Sequence, residues 1–147
     1  MVLLLAGCPV GVAVRPDGSP AEEPCPAGAR EAMAELGLWP RASAQVDLDV
    51  TQLREGALLV YDGPLESETV VPMGELSAKT HLFGRVWTGG PRVVIRYYSA
   101  QLPDGRKLPF CGVANWNGPG LPKAPGRPGS AALSQTFASV DVVSQFR

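Results

Sequence analysis

Thr80-His81-Leu82-Phe83-Gly84-Arg85-Val86-Trp87, then Thr88-Gly89-Gly90-Pro91, then Arg92-Val93-Val94-Ile95-Arg96-Tyr97-Tyr98, is the stretch whose reading decides the fold. Thr80, Leu82, Gly84 and Val86 alternate with His81, Phe83, Arg85 and Trp87, the period of a strand with two unlike faces. The Gly-Gly-Pro turn reverses the chain, and Arg92 to Tyr98 returns antiparallel. Leu102-Pro103-Asp104-Gly105 is a second turn, with proline placed to start it and glycine near its end. Lys107 to Asn115 follows as a third strand, carrying Cys111. Gly84 inside a strand pattern points to a bulge or sharp bend.

Working outward, Ala44, Val46, Leu48 and Val50 alternate with Gln45, Asp47, Asp49 and Thr51, a half-buried strand. Ala57 to Tyr61, bounded by Gly56 and by Asp62-Gly63-Pro64, is another, and Ser67 to Val71 a third, after which Met73-Gly74-Glu75 turns the chain. Thr136, Ala138, Val140 and Val142 oppose Phe137, Ser139, Asp141 and Val143, which reads as a terminal strand with helix as its rival. Pro26 to Leu36 is rich in helix formers, with Pro at the start and Gly37 where a C-terminal cap belongs. Ala29, Met33 and Leu36 share its apolar face. Short strands separated by turn signals predict a mainly β fold, a small antiparallel barrel or sandwich with one short N-terminal helix.

The 147 residues suffice for one domain, assigned to 25–147, and not for two. A net charge of −1, from 13 basic and 14 acidic residues, gives no field to hold a phosphate backbone, so nucleic acid is disfavoured. Past Cys8 no apolar run approaches the ~18 residues of a membrane span. Residues 9–24, with prolines 9, 16, 20 and 24 and no period, read as a flexible tether. In the Pro/Gly loop at 117–129, prolines 119, 122, 125 and 128 recur every third residue. A polyproline II helix would place them on one edge, beside Lys123 and Arg127, as a ligand for a proline-binding groove. The interleaved glycines favour the plainer reading of an exposed loop.

Val2-Leu3-Leu4-Leu5 followed by Ala6-Gly7-Cys8 has the form of a lipoprotein signal, residues 1–8, with Cys8 as the acylated first residue of the mature chain. Two or three acyl chains on one cysteine make a durable anchor. No Lys or Arg precedes Cys8, although a secretory signal begins with a basic region; the expectation is a start upstream of Met1. A chance apolar N-terminus on a cytosolic domain is the competing reading. With Cys8 lipidated, Cys25 and Cys111 remain as a disulfide pair, against the alternative of two buried thiols.

A lone His81 and two distant cysteines lack the paired spacing of metal ligands, so neither metal nor cofactor is expected. His81 is also the one histidine on which a hydrolytic mechanism could run, with a serine, Cys111, Asp104 or Asp141 as conceivable partners; no spacing favours such a set. Asp47 and Asp49 share a strand face, which is ordinarily a solvated one. Trp87, Tyr97, Tyr98, Phe110 and Trp116 concentrate around the meander, where they either line a ligand groove or pack the core.

Lys79-Thr80-His81-Leu82-Phe83-Gly84-Arg85-Val86, Leu102-Pro103-Asp104-Gly105 and Pro109 with Cys111, together with the Cys25-Pro26-Ala27 helix start, resemble a group of small myxobacterial lipoproteins. That similarity spans about residues 24–147, and some of the group are encoded beside serine/threonine kinases. Residues 79–112 alone are similar to the β-barrel domain of the outer-membrane scaffold subunit of type IV secretion systems. The resemblances imply a lipid-anchored envelope protein, facing the periplasm or on the outer membrane, that meets the membrane through Cys8. With no catalytic set favoured by spacing, the residues themselves predict a non-catalytic binding or assembly module for an envelope protein or ligand. The alternatives are a periplasmic component of a secretion or surface machine and a small hydrolase using His81.

Overall fold

The computed structural model describes residues 12–52 and 57–147; Cys8 and the rest of the lipoprotein-type signal lie outside them. In chain order the elements are β1 (Glu23–Pro24), α1 (Ala29–Glu35), β2 (Ser43–Asp47), β3 (Leu58–Tyr61), β4 (Gly63–Thr69), β5 (His81–Trp87), β6 (Val94–Gln101), β7 (Lys107–Asn115), β8 (Ser130–Leu133), β9 (Phe137–Val142) and β10 (Gln145–Phe146). Six strands close an antiparallel barrel in the order β2-β4-β5-β6-β7-β9, and β9 returns to β2 from Ser43↔Asp141 to Asp47↔Phe137. β3 with β8, and β1 with β10, are two-stranded ribbons outside it.

The meander is where alternation places it; β7 spans the expected residues, while β6 runs 94–101 rather than 92–98. Val46, Leu82, Val86, Ile95, Phe110 and Val140 are buried, each the inward member of an alternating pair. Burying a side chain of this size contributes roughly 1.5–3 kcal/mol. The bend expected at Gly84 is present: Phe83 pairs with Ser99 and Gly84 with Tyr97, which leaves Tyr98 as an extra residue on β6. The bulge flips the parity of β6, so Ile95 and Tyr97 face inward before it and Ala100 after it. Only glycine fits at 84, because a Cβ there would lie 2.5 Å from the Arg96 carbonyl oxygen.

α1 packs against β7, with Ala29 and Met33 buried and Leu36 half-buried. Its end is a Schellman motif: Leu38 N–H donates to the Met33 carbonyl (2.8 Å), Gly37 N–H to that of Ala34 (3.0 Å), and Gly37 has φ +70°. Cys25, just ahead of the helix, is bonded to Cys111 on the outer face of β7, with Cα atoms 5.5 Å apart.

Several boundaries differ from the sequence expectation. The strand begun at Ala44 ends at Asp47, because the Asp49 carboxylate accepts the Thr51 N–H (2.8 Å) and folds an Asx turn. Ala57 to Tyr61 pairs outside the barrel, with the unanticipated β8. The strand expected at 67–71 runs 63–69. Pro64 is tolerated in it since β2 pairs with β4 only at Thr69 and Glu68, leaving that side of Pro64 without a ladder. The final strand breaks after Val142. Residues 12–24, expected as a tether, lie against the barrel: a Cβ on Gly18 would sit 2.2 Å from the Gly89 carbonyl oxygen, and β1 pairs with β10. The folded unit therefore takes in residues N-terminal to 25.

Candidate functional site

The five aromatic residues read as either lining a groove or packing the core are divided among three places. Tyr97 and Phe110 are inside the barrel, at 0% and 1% exposure. Trp87, at the end of β5, and Tyr98, on β6, are on the outer wall. Trp116 lies past β7, its ring 5.4 Å from that of Phe137 and edge-on at 71°. Consecutive tyrosines of one strand face opposite ways by the ordinary alternation of the pleat, so no groove collects both. With aromatic rings filling its interior, the barrel holds a packed core.

The Tyr97 hydroxyl meets Ser67 Oγ (2.7 Å), and Ser67 in turn donates to the Leu48 carbonyl (2.6 Å). Burial pushes the Tyr97 phenol above its ordinary 10.0, with the Ser67 bond opposing the rise. A phenol that ionises later in the folded than in the unfolded chain contributes stability that is complete below pH 10. That contribution is lost as pH rises from there through the folded value. Tyr97→Phe should cost about 1 kcal/mol at pH 7, because Ser67 keeps its bond to Leu48. It should also flatten the fall in stability above pH 10; urea midpoints at pH 8 and pH 10.5 measure both effects.

Arg96 is the polar centre of the outer wall. Its guanidinium is 1% exposed and donates to the carbonyls of Ala21 (2.8 Å), Pro20 (3.4 Å) and Arg147 (3.3 Å) and to the Glu23 carboxylate (3.0 Å). The Trp87 and Phe146 rings lie 5.4 and 5.3 Å from it. Tyr98 donates to the same Glu23 oxygen, and burial, then the Glu23 acceptor and its charge, hold that phenol above its ordinary range. The cluster fastens residues 20–23 and β10 to β6. Sequence reading passed over it, though the signal is there: a lone arginine within Val93-Val94-Ile95-Arg96-Tyr97 has to find acceptors wherever that face is covered.

His81 faces Glu66 at Nδ1 and Glu68 at Nε2, the latter 3.1 Å away. Both partners are carboxylates, which can only accept hydrogen bonds from the ring. Among the described residues no serine or cysteine bonds to His81. Asp104 is tied to Arg106 (2.8 Å) and Asp141 to Asn115 (2.6 Å), so the partners named for a hydrolase are not gathered. Cys111 is held in its disulfide. Asp49 is engaged by Thr51 and Gln52, apart from Asp47. Among the described residues no three His, Cys, Asp or Glu side chains converge as metal ligands.

The surface carries shallow depressions. Val94, Val113 and Val143 line a groove of about 370 Å³, bordered by Pro119, Arg41 and Arg147. Trp116, Phe137 and Val71 line a cleft of about 480 Å³ across β2 and β9, so Trp116 lines an open site. Beside α1 a third, of about 290 Å³, includes Trp39, 64% exposed. Such surfaces suit non-covalent contact with another molecule. Comparison of the chain with protein-family models, curated proteins and solved structures gives no match.

Proposed function

We propose that this is an envelope protein held to a membrane by lipid on Cys8, with the barrel as a non-catalytic binding or assembly module. The observation that carries the reading is the Cys25–Cys111 bond. Disulfides persist in oxidising compartments outside the cytoplasm, and this one leaves Cys8, within Leu5-Ala6-Gly7-Cys8, as the cysteine available for acylation. None of the helices among the described residues is long and apolar enough to cross a membrane. Since the interior is packed, binding belongs to the outer wall, and the Trp116–Phe137 cleft is its foremost place.

Intact-mass analysis of the native protein, with and without reduction, tests the proposal. The expected species begins at Cys8, carries two or three acyl chains, and gains two hydrogens on reduction. Cys8→Ala should move the protein from the membrane to the soluble fraction. An unacylated chain with three free thiols, recovered from the cytoplasm, would overturn it.

A further inference from the structure

The loop at 117–129 is more ordered than its glycine content suggests. At its base the Arg92 guanidinium donates to the carbonyls of Trp116 (2.7 Å), Pro119 (2.9 Å) and Gly120 (3.0 Å). Gly118 (φ +118°) and Gly120 (φ +76°) flank Pro119 in conformations that turn it out of line with the later prolines. From Leu121 to Pro128 no residue has a positive φ. Leu121 exchanges two backbone hydrogen bonds with Val93, both 2.9 Å; Ala124 N–H donates to Ala132 (3.0 Å); the Arg127 carbonyl accepts from Ser130 N–H (3.2 Å). The attachments at Leu121 and Ala124 are three residues apart, the repeat of a helix with three residues per turn, and the Arg127–Ser130 bond closes the segment in a turn. Pro122, Pro125 and Pro128 occupy the next edge, and all are exposed.

Local chemistry supports the same conformation. Proline sets φ at 122, 125 and 128, and the residues before them, Leu121, Ala124 and Arg127, are restricted to extended or polyproline II backbone. Lys123 Nζ donates to the Thr88 carbonyl, a further pin. The Arg127 side chain is exposed and makes no ion pair among the described residues.

We infer that residues 121–128 are a polyproline II ligand, displayed on the barrel for a partner domain whose groove is paved with aromatic rings and flanked by a carboxylate facing Arg127. A ridge of prolines repeating every third residue is the shape such grooves take, and a segment already fixed to the body loses little entropy on docking. The charge at Arg127 sets the direction in which the ridge lies.

The test titrates the isotope-labelled full chain with a panel of purified SH3 and WW domains bearing acidic groove margins. At least one should bind, with amide shifts centred on residues 121–130. Pro122→Ala combined with Pro125→Ala should weaken that binding at least about tenfold, and Arg127→Glu comparably. Pro119→Ala, off the ridge, should leave it within about twofold. The substituted side chains are exposed, and unchanged urea midpoints would show that the variants fold. Binding by none of the panel, equal binding by the double variant, or an equal loss from Pro119→Ala would overturn the inference.

Discussion

An Arg96→Met chain should lose about 3–5 kcal/mol of unfolding free energy, the usual cost of deleting one partner of a buried ion pair. Methionine keeps apolar contact with the Trp87 and Phe146 rings, so the loss is chiefly polar. Glu23, only 20% exposed at its side chain, loses its countercharge and keeps Tyr98 as its one donor. The carbonyls of Pro20, Ala21 and Arg147 lose theirs. The cheapest relief is for residues 12–24 to lift off the barrel and rehydrate. A glutamate-specific endopeptidase should therefore cut after the exposed Glu22 much faster in the variant than in the parent. Adding Glu23→Gln should recover part of the stability, because the stranded charge is then gone. Chemical denaturation reads the first effect and timed proteolysis the second. A loss below about 1 kcal/mol, with unchanged cleavage, would mean that Arg96 is a bystander.

Opening the Cys25–Cys111 bond is expected to have an effect of similar size. The cysteines are 86 residues apart, and a cross-link of that span stabilises by roughly 4–5 kcal/mol in the chain-entropy account. Against the 5–15 kcal/mol typical of a whole domain, this is about a third or more. The bond also ties the segment ahead of α1 to the face of β7 on which the helix packs, so its loss should loosen both. Urea unfolding of the oxidised protein, of the same protein held in reductant, and of a Cys25→Ala/Cys111→Ala chain should give one high midpoint and two similar low ones. Equal midpoints in all three would show that the cross-link constrains nothing.

The elements legible in the sequence are those whose signal is local. The β5–β6–β7 meander, β9 and α1 follow from alternation, turn chemistry and the Gly37 cap, which neighbouring residues determine. The Cys25–Cys111 pair was readable from parity. What escaped reading depends on partners remote in sequence. Pro64 looked like a stop because its missing ladder neighbour is a property of where β2 ends. Residues 12–24 looked like a tether because the groups that hold them, Arg96 and Gly89, come far later in the chain. The aromatic residues were read as groove or core because they cluster along the meander, but a tally of rings does not say which face of its strand each one occupies. Composition described the 117–129 loop correctly as rich in turns, but its attachments to Val93, Thr88 and Ala132 belong to the folded chain alone.

The ladder between β2 and β9 has a kinetic consequence. β2 is the first of the six hoop strands to leave the ribosome and β9 the last, so the hoop cannot shut until β9 has been made. Until then β2 and β7 present raw edges with open hydrogen-bonding groups, which invite pairing with other molecules. Wild-type refolding should accordingly be slow, in the millisecond-to-second range of proteins dominated by non-local strand pairing.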